Sequence, residues 1–130
     1  MSDMISGMSA AASGMTAQSA RLRITAENIA NADTPGYRRK LVSFEALTER
    51  VDEDRAVAVG RIGLDRSDLE KIYDPAHPLA DGSGYYDGSN VSLIVEIADS
   101  REAQRGYEAN LKMFDQSRRM MTSLLDLLRR

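Results

Sequence analysis

Apolar residues recur every seven positions near the start of the chain, at Met8, Met15, Leu22 and Ile29. Ile5, Ala12, Ser19 and Ala26 flank them on one side, and Met4, Ala11, Gln18 and Thr25 on the other. This recurrence predicts a helix from about Met4 to Asn31 with a heptad-like seam. Within SGMSAAASGMTA, Gly7 and Gly14 share one register. Each costs roughly 1 kcal/mol against alanine in an isolated helix. Such a helix is weak alone, and its small residues permit close approach by a partner.

The other end repeats the pattern. Tyr107, Phe114, Met121 and Leu128 form a strict seven-step series preceded by Leu93, and Ile97, Leu111, Met113, Leu124 and Leu125 widen it. A helix from Asn90 to Arg130 is expected, with Asn90 or Ser92 as its cap and Arg129 and Arg130 against the negative end of its dipole. At 1.5 Å per residue it would be about 57 Å long. A compact chain of this size is only roughly 36 Å across. The helix must therefore project, and its stripe must pack on another helix. The first helix is the nearest partner, and copies or relatives in an assembly are further ones. A self-contained two-helix hairpin with a small β insert stays possible, but it leaves much of the stripe exposed. The expected fold is mainly α: residues 1–33 and 90–130 form a helical coiled-coil unit, and residues 34–89 form turns, short strands and loops.

That middle segment alternates. RRKLVSFE sets Leu41, Ser43 and Glu45 against Val42 and Phe44, which reads as a strand. AVAVGRIGL, with Val57 and Val59 on one face, reads as a second strand, and Leu69 to Tyr73 as a third. DEDR, DPAHP and DGSGYYDGSN read as loops from their Asp, Gly and Pro content.

The 130 residues suit one domain, or one domain with extended arms. The net charge of −3 supplies no phosphate-neutralising excess, so nucleic acid is not an expected partner. Without cysteine there are neither disulfides nor thiolate metal sites. No stretch reaches the roughly 20 apolar residues of a membrane span. MSDMISGMSA carries an aspartate where a signal peptide would carry lysine or arginine. Read alone, the chain is expected in the cytoplasm.

Chemistry finds little purchase. His77, the only histidine, sits in a Pro-flanked loop and reads as an exposed residue or turn former. Asp52, Asp54, Asp65 and Asp68 lack the ligand order of a calcium loop. Arg38, Arg39 and Lys40 read as a charged strand edge, with phosphate contact the weaker alternative. No catalytic, cofactor-binding or metal-binding residue is expected, and the chain is read as a non-enzyme.

One stretch asks for more than a helix stop. In AENIANADTPGY, Asn28 and Asn31 share a helix face, and their amides can satisfy free carbonyls of this helix or of a neighbour. Thr34 before Pro35 is pushed toward extended backbone. Pro35 and Gly36 fit the centre of a type II turn, and Tyr37 offers a ring to bury and a hydroxyl to bond.

These residues resemble a known family. AENIANADTPGYRRKLVSFE is similar to the N-terminal signature of bacterial flagellar axial proteins of the rod and hook. NVSLIVEIADSREAQRGYEANLKMFDQSRRMM resembles their second signature, through Ala103, Arg105, Tyr107, Ala109 and Asn110. YDPAHPLADGSGYYDGSNV and the short length match the proximal-rod members, although Ser89 stands where proline is common and Ile97 where methionine is common. The resemblance implies a structural subunit of the basal-body rod, the drive shaft crossing the periplasm. It implies polymerisation through terminal helices with copies of itself and with other proximal and distal rod subunits, around an export channel. It also implies passage through the flagellar type III export apparatus without a cleaved signal peptide, which moves the expected location to the basal body. Met8, Met15, Leu22, Ile29, Tyr107, Leu111, Phe114, Met121, Leu125 and Leu128 are the expected assembly seam. Another axial member of the same stack and a coiled-coil adaptor unrelated to motility are the alternatives.

Overall fold

A helix over Ser2–Ala30 (α1) and a longer one over Leu93–Leu128 (α2) lie side by side in the computed structural model, which describes residues 1–46 and 57–129. Gly7 faces Ser117, Gly14 faces Asn110 and Gln18 faces Gly106, so the pair is antiparallel. A Cβ at Gly14 would come within 2.7 Å of the Asn110 amide, so a larger residue there would force that side chain to move. The line on α1 is thus Gly7, Gly14, Arg21 and Asn28, and on α2 it is Glu96, Ala103, Asn110 and Ser117. Both are seven-residue series, built from small and polar residues.

The helices pair as expected, and the large apolar stripes lie beside the line of closest contact. Met8, Met15, Leu22 and Ile29 each follow a residue of the inner line, which puts them about 100° around α1. Tyr107, Phe114 and Met121 each lie four residues beyond the inner line of α2, an offset of about 40°. Phe114 and Met121 are accordingly half-buried at the edge of the contact, whereas Tyr107, Leu111, Leu125 and Leu128 are exposed. Met8, Met15 and Leu22 are half-buried and Ile29 is exposed. In an antiparallel pair, equal-handed offsets turn to the same side. The two stripes therefore adjoin on one face of the pair. Heptad spacing alone does not say which of two neighbouring lines the helix of the same chain takes.

The opposite face carries a hairpin. β1 (Lys40–Ala46) pairs antiparallel with β2 (Val57–Leu64), from Lys40↔Leu64 to Ala46↔Val57, with a bulge between Val42 and Phe44. It is tied to α1 where Val57 N–H donates to Ser13 Oγ at 3.1 Å. A second hairpin joins β3 (Lys71–Tyr73) to β4 (Tyr85–Asp87), with Ile72 opposite Tyr86. The β4 residues had been read as loop. Pairing with β3 makes them a strand: Tyr73 and Tyr85 rings meet at 5.1 Å across it, and His77 of the connecting loop stacks on Tyr86 at 3.9 Å. His77 Nδ1 also accepts from Leu79 N–H, so this histidine is a turn former. The Asp81 carboxylate organises the same loop. Its hydrogen bonds from Ser83, then from Tyr85, hold it below the ordinary carboxylate value.

The start of α2 differs from expectation. Ser92 occupies the N-cap of α2 without a side-chain cap bond, and Asn90 spends its amide elsewhere. Arg129 forms the C-cap, its N–H donating to Leu125 O. Asp52, Asp54 and Arg130, named above, lie outside the described residues.

Candidate functional site

The last turn of α1 tightens at Asn31, whose side chain donates to the Glu27 carbonyl at 2.9 Å and accepts from Thr34 Oγ1 at 3.1 Å. One expected asparagine role, satisfying a carbonyl of its own helix, is therefore Asn31's. Thr34 to Tyr37 then form a turn closed by Tyr37 N–H donating to Thr34 O at 3.2 Å. Gly36 has φ 75°, as the third position of a type II turn requires. Its N–H donates to both Asp87 O and Gly88 O, which seats the turn on the end of β4.

Nothing lies within 4 Å of a Cβ built at Gly36, so a side chain there meets backbone strain alone. Gly36→Ala is expected to destabilise the chain by about 1 kcal/mol, and β-branched Gly36→Val by more. Urea titration followed by far-UV circular dichroism checks the order. Equal stability of Gly36→Val and the parent would remove the turn from the account.

Asn28 is 1% exposed and carries the other role. Its Oδ1 accepts from Lys40 N–H at 2.9 Å and from the Tyr37 hydroxyl at 2.9 Å. Its Nδ2 donates to Lys40 O at 2.9 Å and to Glu96 Oε2 at 3.2 Å. One amide thus meets both backbone groups of Lys40, as a neighbouring strand would, and still reaches the second helix. Burial, and next the nearby Glu27 carboxylate, push the Tyr37 hydroxyl upward in pKa. The Glu27 carboxylate, hydrogen-bonded to Lys40, raises that ammonium.

Glu96, in the first turn of α2, is fully buried. Its second partner is Arg39, whose Nε donates to Oε1. The same guanidinium reaches Asp99 Oδ2 at 2.9 Å and Asp65 Oδ2 at 3.8 Å. Hydrogen bonds from Ser67, its backbone N–H first, hold Asp65 below the ordinary carboxylate value. Asn90 Oδ1 accepts from Arg39 N–H at 2.6 Å, while Asn90 Nδ2 donates to Asp65 O and Ser67 O. Ser89, 6% exposed, donates its hydroxyl to Ala32 O. A proline at that position could not make this bond.

The node thus joins the end of α1, the turn, β1 and the start of α2. Of the singled-out residues it gathers Asn28 and Tyr37, with Asn31, Thr34, Pro35 and Gly36 shaping its entry. Ala103 is fully buried one heptad along α2, and Asn110 packs on Gly14 while donating to Gly106 O. Arg105 and Ala109 are exposed. Reading the sequence missed Glu96 and Arg39. The only available signal was an acidic residue in the apolar run LIVEIA, placed seven residues before Ala103.

Among the described residues, no group of three or more His, Cys, Asp or Glu side chains is placed to hold a metal ion. No described helix is long and apolar enough to cross a membrane. Among the described residues, the arrangement ties two helices, a turn and a strand together by hydrogen bonds and ion pairs.

Comparison with known proteins agrees with that geometry. A family model described as flagella basal body rod protein matches residues 8–38, which are most of α1 and the turn. A second, flagellar basal body rod FlgEFG protein C-terminal, matches residues 83–127, which are β4 and α2. The flagellar basal-body rod protein FlgC of Agrobacterium fabrum is 46% identical over 126 residues, covering 92% of this chain and 91% of that protein. FlgC of Yersinia enterocolitica is 33% identical over 123 residues, covering 90% and 92%. FlgC of Borreliella burgdorferi is 32% identical over 148 residues, covering 96% and 97%. An adaptor unrelated to motility is set aside by these likenesses. The chain belongs to the FlgC family of flagellar basal-body rod proteins, structural subunits of the motility apparatus.

Proposed function

We propose that this chain builds the proximal part of the rod, its helix pairs standing side by side as the wall of the periplasmic drive shaft and export channel. The observation that carries the reading is the uncovered stripe. Ile29, Tyr107, Leu111 and Leu125 stay exposed along one face of a pair whose other face holds the β1–β2 hairpin. A contiguous apolar face of this length marks an interaction surface. The Gly7–Ser117 level places Ser2 near Thr122, so α2 overruns α1 by residues 123–128, about 9 Å. Leu125, Leu127 and Leu128 are exposed there, beyond the level where α1 begins.

Copies of the chain and other rod subunits are the partners that would cover both surfaces. Delivery to the growing rod would be through the flagellar type III export apparatus. The role is structural, without catalysis, cofactor, nucleic acid or membrane insertion. In cells lacking the chain, rods and swimming are expected to be absent. An affinity-tagged copy should restore both and purify with basal bodies. Intact rods in its absence would sink the reading.

A further inference from the structure

We propose that the Asn28–Arg39–Glu96 node is a clasp: α2 docks on α1 only when the β1 segment is already seated, because Arg39 then neutralises a carboxylate that docking buries. The inference concerns closure of the chain on itself and does not depend on what it assembles with.

Glu96 is 0% exposed, and neither of its partners belongs to α2. A buried carboxylate without a counter-charge is costly, and Asn28 supplies only a neutral donor. The rest of the helix contact is built mainly of small residues, with Phe114 and Met121 half-buried at its edge. Its buried apolar residues among those described are Ala11, Ala17, Ile24 and Ala103. Gly7, Gly14 and Gly106 bring backbones close without adding apolar side chain. Docking therefore turns on Arg39.

Arg39 is in turn placed by its neighbours. Lys40, the next residue, is held through both backbone groups by Asn28, and Arg39 N–H is held by Asn90. The Asn28–Lys40 bonds span 12 residues, whereas the Asn28–Glu96 bond spans 68. The shorter loop closes at lower entropic cost, so the seated strand comes first and α2 second. Asp99 and Asp65 also face the guanidinium, and Arg21 lies 3.5 Å from Asp99. None of these replaces the charge beside Glu96.

The test uses the full chain with Gly7→Cys and Ser117→Cys. A Cβ at Gly7 falls 3.8 Å from Ser117 Oγ, which suits a disulfide, and the chain has no other cysteine. This pair lies roughly 30 Å from Glu96 along α2, so it reports docking and not the node itself. The readout is the effective concentration of the two thiols in a glutathione titration, compared with the same chain in guanidinium. Arg39→Met should lower it by on the order of a hundredfold, since breaking a buried pair strands the remaining charge. Glu96→Leu should leave it near the parent. The double variant Arg39→Met/Glu96→Leu should recover it, because no charge is then stranded. Retention in Arg39→Met, or a double variant as low as Arg39→Met, would overturn the clasp. So would a parent no better than its guanidinium-unfolded form.

Discussion

Leu22→Asp and Phe114→Asp are each expected to abolish rod assembly and swimming, and to differ in the free chain. Leu22 lies on the uncovered stripe and is half-buried, so an aspartate there keeps much of its hydration in the isolated chain. The cost arises when a neighbour covers it, several kcal/mol for every subunit added. Phe114 is half-buried at the edge of the α1–α2 contact, so its carboxylate also weakens the pair itself. Urea titration should therefore show Leu22→Asp close to the parent and Phe114→Asp clearly destabilised. Electron microscopy should find basal bodies lacking rods in both. Swimming cells carrying Leu22→Asp would mean that neighbours do not use this face.

Asn28→Ala is expected to cost on the order of 3 kcal/mol. Alanine improves local helix propensity by about half a kcal/mol. Against that, the Lys40 N–H and C=O, the Tyr37 hydroxyl and Glu96 each lose a partner at a site that is 1% exposed. Each buried group left unpaired costs about 1–3 kcal/mol, with partial relaxation reducing the sum. Asn28→Asp keeps the size but removes both donors and sets a second carboxylate beside Glu96, so it should be at least as damaging. The urea midpoint of each variant, followed by circular dichroism, measures the effect. An Asn28→Ala chain as stable as the parent would reduce AENIANADTPGY to an ordinary helix stop.

The two helices were legible because apolar recurrence at seven residues is a local property of the chain. So was the turn, because Pro35 and Gly36 restrict backbone angles whatever surrounds them. The family resemblance was legible for the same reason, since its signatures lie in those two helices and that turn. What periodicity could not supply was the choice between Gly7, Gly14 and Asn28 and the adjacent Met8, Met15 and Ile29 as the intrachain line. Both series repeat every seven residues, and only the approach of α2 against Gly14 decides between them. The β4 strand was missed because a three-residue strand is defined by its partner, here Lys71–Tyr73, and not by its own pattern.

By itself the sequence determined the helices, the turn and the apolar stripe, all set by nearest-neighbour sterics and spacing. Tertiary structure decided the node. Arg39 and Glu96 are 57 residues apart in the chain, and each alone reads as a surface charge. Their meaning appears only where folding removes water from Glu96, because a carboxylate that is inconsequential in solvent must find its counter-charge once buried.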